Sequence, residues 1–172
     1  MSYTQFTTLE MIESNFNIKI ADKVGIFDQI PESEYSDFLG QTLQDNIALA
    51  LAINTEKARS ELIVTPILVE LRKHFNYQIS FFSGKEFNID SEKGLNGFCD
   101  FLISRSPEQL LIKTPVIALV EAKNDNLQNG LPQCMAEMIA ARIFNERNNN
   151  NIAAIYGCLL YTSDAADEED SV

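Results

Sequence analysis

The segment Pro115 to Asn124, PVIALVEAKN, constrains what this chain can fold into more than any other. A short apolar run rich in Val and Ile, opened by a proline, fits a strand buried in a sheet. Side chains alternate along a strand, so Ile117, Leu119, Glu121 and Lys123 share one face, apolar at first and then abruptly charged. A carboxylate and an ammonium at the end of a buried strand enter one small volume. Burying either without a partner costs several kcal/mol, so the fold has to supply compensation. A divalent cation together with a phosphate is one candidate.

The upstream segment GFCDFLIS (97–104) reads as a second strand with one isolated acid, Asp100, on a face shared with Phe98 and Leu102. Cys99 then falls on the opposite face, in the core. If the two strands pair, Asp100 meets Glu121, and two converging carboxylates repel unless they share a proton or a metal. Oxygen ligands suit Mg²⁺ or Mn²⁺. Zinc is poorly served by one histidine, His74, and three scattered cysteines, Cys99, Cys134 and Cys158. Glu61, in KARSELIV, is another acid followed at once by apolar residues, and from a helix it could reach the same point. Its alternative partner is Lys57, four residues earlier on the same helix surface.

Around these strands the pattern is helical up to about Phe75 and mixed afterwards. A short helical stretch covers Thr8 to Asn15, IKIADKVGIF reads as extended, and Pro31 marks a break. Ser33 opens a helix of roughly 34–53 with Phe38, Leu43, Ile47, Leu49 and Leu51 on its apolar face. A second helix runs from about Thr55 to Phe75 on Leu62, Ile63, Ile67, Leu71 and Phe75, and Pro66 inside it predicts a kink. QISFF (78–82) and KEFNID (85–90) read as further strands. Gly130 and Pro132 open a third helix, LPQCMAEMIAARIFNERN, whose stripe Met135, Met138, Ile139 and Ile143 would face the sheet. IAAIYG (152–157) is the last strand. The fold class is α/β, with residues 1–54 an N-terminal helical extension packed on a core of residues 55–157.

The formal charge of −12 needs a correction from the C-terminal end. Residues 158–168, CLLYTSDAADE, resemble the codon-by-codon translation of a transposase-type sequencing-library adapter. The expectation is that the genomic frame departs after about Gly157, that 158–172 is a non-native tail, and that the C-terminal part of the sheet is truncated. The tail holds five acids and no base, so 25 acids less these five leave 20 against 13 bases, a balance of −7. No apolar run is long enough to span a bilayer. MSYTQFTTLEMIES lacks the layout of a secretory signal, and the cysteines make no disulfide framework. A reducing, cytoplasmic setting with no membrane is therefore expected. Neither a GxxxxGK(S/T) loop nor a GxGxxG fingerprint occurs, which argues against nucleotide hydrolysis and dinucleotide chemistry.

Asp100, followed after twenty residues by Glu121-Ala122-Lys123, resembles the PD-(D/E)xK nuclease superfamily. LVEAKN followed by LPQCMAEMIAAR also resembles an uncharacterised bacterial, restriction-endonuclease-like group within it. The resemblance covers roughly Glu61 to Gly157 and implies an αβββαβ core. It implies Mg²⁺, replaceable by Mn²⁺, held by Asp100, Glu121 and the backbone carbonyl of Ala122, with Glu61 assisting the metal. Lys123 would position or deprotonate the attacking water and stabilise charge on the phosphate, and Gln133 would lie near the scissile phosphate. The implied activity is hydrolysis of phosphodiester bonds in nucleic acid, DNA in the first instance. The chain departs from the family where Cys99 stands for proline, and where Glu137 replaces the tyrosine that follows the glutamine in the exonuclease-like branch. The acidic balance opposes phosphate binding. Lys85, Lys93, Arg105, Lys113, Arg142 and Arg147 are therefore expected as a local basic rim, or else a protein partner or oligomer assists. The alternative is a non-catalytic nuclease-fold subunit or interaction module in which Glu121 and Lys123 are merely ion-paired.

Overall fold

In the computed structural model, which describes residues 2–23, 25, 27–123 and 127–160, four strands form one mixed sheet. β1 (Ser80–Glu86), β2 (Phe98–Ser104) and β3 (Val116–Ala122) are antiparallel neighbours, and β4 (Tyr156–Leu160) lies parallel to β3. A parallel step needs a crossover, and α5 (Leu127–Arg147) makes it. The chain is thus mixed α/β, and no helix among the described residues is long and apolar enough to cross a membrane.

Helices cover both faces of the sheet. On one face Tyr3, Phe6 and Ile12, the last in α1 (Leu9–Phe16), pack with Leu102, Val116 and Leu119 and with Ala136 and Ala140 of α5. Thr8 caps α1 by accepting from the Met11 N–H. On the other face a helical arm carries Val64 and Leu68 against Phe101, Ile103, Val120 and Ala122. The arm comprises α3 (Glu56–Arg59), a π-helical turn (Ser60–Val64) and α4 (Thr65–His74), and α2 (Asp37–Ile53) packs on it. Residues 1–54 therefore meet the core in two separate places.

The arm shows what Pro66 does. Proline has no N–H for the carbonyl of Leu62, one turn back. The chain widens into the π turn just before it, where the Thr65 N–H and hydroxyl both reach the Ser60 carbonyl, and Asn46 Nδ2 donates to the freed Leu62 carbonyl at 2.9 Å. The extra residue in that turn rotates the apolar face. Ile63, Val64 and Leu68 are buried, while Ile67 and Phe75, expected inside, are exposed. α2 is capped by Ser36 and not Ser33, and it buries Leu39 and Ala50 while Phe38 and Leu49 stay exposed.

The strands also differ from expectation in register. QISFF and KEFNID contribute to one strand, β1, that runs through Gly84, and Asp90 and Leu95 make only an isolated bridge. IKIADKVGIF forms no strand among its described residues. A bulge pairs Ser104 with Val116 but Ile103 with Ala118, which places Val116, not Ile117, beside Leu119 on the α5 face. α5 begins at Leu127, so Pro132 lies inside it. Fully buried Ala136, Ala140 and Ala141 form its sheet face, and Met135, Met138, Ile139 and Ile143 are only partly buried. Small side chains let the helix axis approach the sheet. β4 reaches Leu160, so residues 158–160 stand in the ladder beside β3, and 161–172 lie outside the described residues.

Asn145 joins α5 to the sheet. β4 begins opposite Ala118 and does not reach Val116. The buried Asn145 takes the place of a strand there: its Oδ1 accepts from the Val116 N–H at 2.8 Å and its Nδ2 donates to the Val116 carbonyl at 2.7 Å. Asn145→Ala leaves both groups buried and unpaired, and should lower unfolding free energy by at least about 2 kcal/mol. Denaturant midpoints at unchanged slope measure it.

Candidate active site

The pairing of β2 with β3 ends at Phe101 opposite Val120. One residue further on, the ladder is continued by side chains. The Asp100 N–H donates to Glu121 Oε1 at 3.3 Å, and the Ala122 N–H donates to Asp100 Oδ2 at 3.0 Å. Each carboxylate thus accepts from the backbone of the opposite strand, and the two acids meet as the strand readings anticipate. Alternation does not hold through this point: Cys99 and Leu102 both pack on the α5 face.

Glu121 is fully buried and Asp100 half-buried. Lys123 Nζ lies 3.1 Å from Glu121 Oε2 and 4.0 Å from Glu56 Oε1. α5 reaches this point with its first turns, where a Cβ on Gly130 would stand 3.0 Å from Lys123 Cγ. Glycine there leaves room for the lysine stem. From the same helix Gln133 Nε2 donates to Glu121 Oε2 at 3.0 Å and to Glu137 Oε1 at 3.1 Å. Across β2, Gly84 lies between Ser83, paired with Phe101, and Lys85, paired with Cys99, and so faces Asp100. With φ +57° and nothing within 4 Å of a Cβ position, Gly84 borders open space.

Burial and then the Asp100 charge push the Glu121 carboxyl up. Burial and then the Glu121 charge push Glu137 up to about 10, so it holds its proton at neutral pH. Burial disfavours the Lys123 ammonium, but the Glu121 carboxylate, with Glu56 and Asp100 behind it, outweighs burial and holds the lysine above its ordinary range. Cys99 and Cys134 are pushed up by burial, with Glu137 next in effect, so neither is a nucleophile here.

Asp100, Glu121, Lys123 and Gln133 are therefore brought together, and Ala122 lies in the same bracket. Glu61 is not. It is exposed and pairs with Lys57 at 2.7 Å, the helix-surface alternative. The acid that the arm extends toward Lys123 is Glu56, which sequence reasoning missed because an acid just after the cap residue Thr55 reads as a favourable dipole contact. Glu137 was visible only as a departure from a family pattern; the signal for it is its position four residues after Gln133, on the same helix face.

The expected basic rim does not assemble. Arg105 and Lys113 lie at the other end of β2, where Arg105 N–H meets the Pro115 carbonyl and Ser104 bonds the Lys113 carbonyl. Arg142 pairs with Glu146, and Arg147 and Lys93 reach Asp90. Lys85, exposed and opposite Cys99, is the one nearest Asp100 along the ladder.

Among the described residues no three His, Cys, Asp or Glu side chains form a metal-holding group. A divalent cation could be held here by two carboxylates and a carbonyl: in an extended strand the N–H and C=O of one residue project to the same side, so the Ala122 carbonyl faces the side of Asp100. This is a hard, oxygen-only donor set of the kind Mg²⁺ and Mn²⁺ take. Compared with known proteins, the chain matches no family model, no curated protein and no solved structure.

Proposed function

We propose that the chain is a PD-(D/E)xK-type nuclease domain that hydrolyses phosphodiester bonds in nucleic acid, DNA in the first instance, with Mg²⁺. The observation that carries this reading is the bracket in which Asp100 and Glu121 exchange backbone hydrogen bonds beside an ammonium at 3.1 Å. The order α, three antiparallel strands, α, parallel strand supports the αβββαβ core. Asp100, Glu121 and the Ala122 carbonyl would hold the cation, which when bound acidifies water and polarises a phosphoryl oxygen. Lys123 would position or deprotonate the attacking water and stabilise charge on the phosphate. The open space at Gly84, opposite Asp100, would admit substrate on that side, with the exposed Lys85 next to it on β1.

The test is cleavage of plasmid and single-stranded DNA in Mg²⁺ or Mn²⁺ by the native chain beside Asp100→Asn. Cutting and Mn²⁺ binding by the native chain, both lost in the variant, is the expected outcome. A folded native chain that neither cuts nor binds Mn²⁺ would leave the second reading, a non-catalytic nuclease-fold module. That reading draws on the direct Lys123–Glu121 pair and the Gln133 amide, which satisfy Glu121 Oε2 from within the protein. It also draws on the acidic balance, which a protein partner would have to offset for nucleic-acid binding.

A further inference from the structure

The geometry points to Glu137 as a positioning residue that fixes the amide of Gln133 and, through it, the rotation of the Glu121 carboxylate. The inference rests on the metal-site reading above and adds to it a residue outside the ligand set.

Glu137 is fully buried beside Glu121, Gln133 and Cys99. Oε1 accepts from Gln133, and Oε2 is buried with no hydrogen-bond partner. A half-satisfied carboxyl in a core is a poor stability device, since a hydrophobic side chain of similar volume would cost less. Its geometry has a consequence that stability does not. A glutamine amide can present either its NH₂ or its oxygen to a neighbour. Gln133 faces two oxygens at once, Glu121 Oε2 at 3.0 Å and Glu137 Oε1 at 3.1 Å. With the Glu137 proton on Oε2, the oxygen that Gln133 does not use, both of these oxygens accept from the NH₂, and Glu137 keeps the amide from flipping. A flipped amide would set its oxygen against Glu121 Oε2 and turn that carboxylate away. As it stands, Oε2 is held by Gln133 and Lys123, and Oε1 is turned to the Asp100 backbone, toward the second acid.

The experiment is calorimetric titration of Mn²⁺ alone into the native chain, Glu137→Met, Glu137→Gln, Gln133→Met and the double Met variant, with Tm measured on each. Groups that orient a ligand are worth about ten- to a hundredfold in metal affinity. Glu137→Met should lose about tenfold in Mn²⁺ affinity while its metal-free Tm stays level or rises. Glu137→Gln, whose carbonyl accepts the same N–H, should stay within about twofold of native. The double variant should be no weaker than Gln133→Met, because one residue acts through the other. Native affinity in Glu137→Met overturns the role, as do additive losses in the double variant, no rescue by Gln, or a loss that follows Tm downward. A native chain that binds no Mn²⁺ overturns the metal-site reading itself, and this role with it; the native titration alone tells that outcome from the others.

Discussion

A Lys123→Met variant is expected to lose at least about a hundredfold of metal-dependent DNA cleavage and to bind Mn²⁺ no more weakly than the native chain. The two effects point in different directions because Lys123 has two relations to Glu121. Toward a phosphate in the site it is the nearest positive charge. Toward a cation it is a competitor, since its ammonium sits 3.1 Å from the same carboxylate oxygen, deep enough that only 18% of the side chain is exposed. Without a metal, the variant leaves Glu121 buried among Asp100 and Glu137 with no opposing charge, and breaking such a pair costs about 3 to 5 kcal/mol, less where the carboxyl can take up a proton. Stability at neutral pH should therefore fall in the metal-free variant and return when Mn²⁺ is added. Unchanged cleavage would remove Lys123 from the chemistry. Loss of Mn²⁺ binding along with cleavage would make the lysine a prop for the carboxylates and not a participant.

The strand carrying Glu121 and Lys123 was legible because two independent signals coincide there: a buried-strand composition and a charge that such a strand cannot carry alone. Asp100 was legible for the same reason, as one acid in an apolar strand that reaches Glu121 through backbone groups. What the residues alone do not encode is phase after an irregularity. The π turn before Pro66 shifts burial from Ile67 to Leu68, and the bulge at Ser104 shifts it from Ile117 to Val116. Both insert a residue, and periodicity counted across them is off by one. Glu56 was hidden for a different reason: an acid just after the cap Thr55 already has a dipole role, and five residues separate it from Glu61 on the helix, so which of the two turns to the sheet depends on packing. On α5, apolar size misled: the sheet takes Ala136, Ala140 and Ala141 because closeness, not bulk, sets that interface.

Between pH 5 and pH 9 the metal-free native chain should lose several kcal/mol of stability, and Glu137→Gln should remove most of that slope. Glu137 is held near pKa 10 in the fold against an ordinary value of 4.5. Over that interval the folded chain keeps a proton that the unfolded chain has released, so unfolding releases protons and rising pH favours it. The contribution is complete below 4.5, declines as pH rises, and is gone above about 10. Glu121, pushed in the same direction, adds to it, and Lys123, raised above its ordinary 10.5, adds a further loss only at the alkaline end. Glu10 and Glu70 are held below 4.5, the first by its own backbone N–H, the second by hydrogen bonds from Ser36, so their contributions, of opposite sign, rise only slightly just above pH 5 and are flat across the rest of the window. Net repulsion in an acidic chain also grows with pH, but the native chain and the variant share it, and it cancels in the difference between their curves. Tm against pH for the two proteins in EDTA measures that difference. Parallel curves would mean that Glu137 is ionised in the fold at neutral pH, and that its partner across Gln133 holds the shared proton instead.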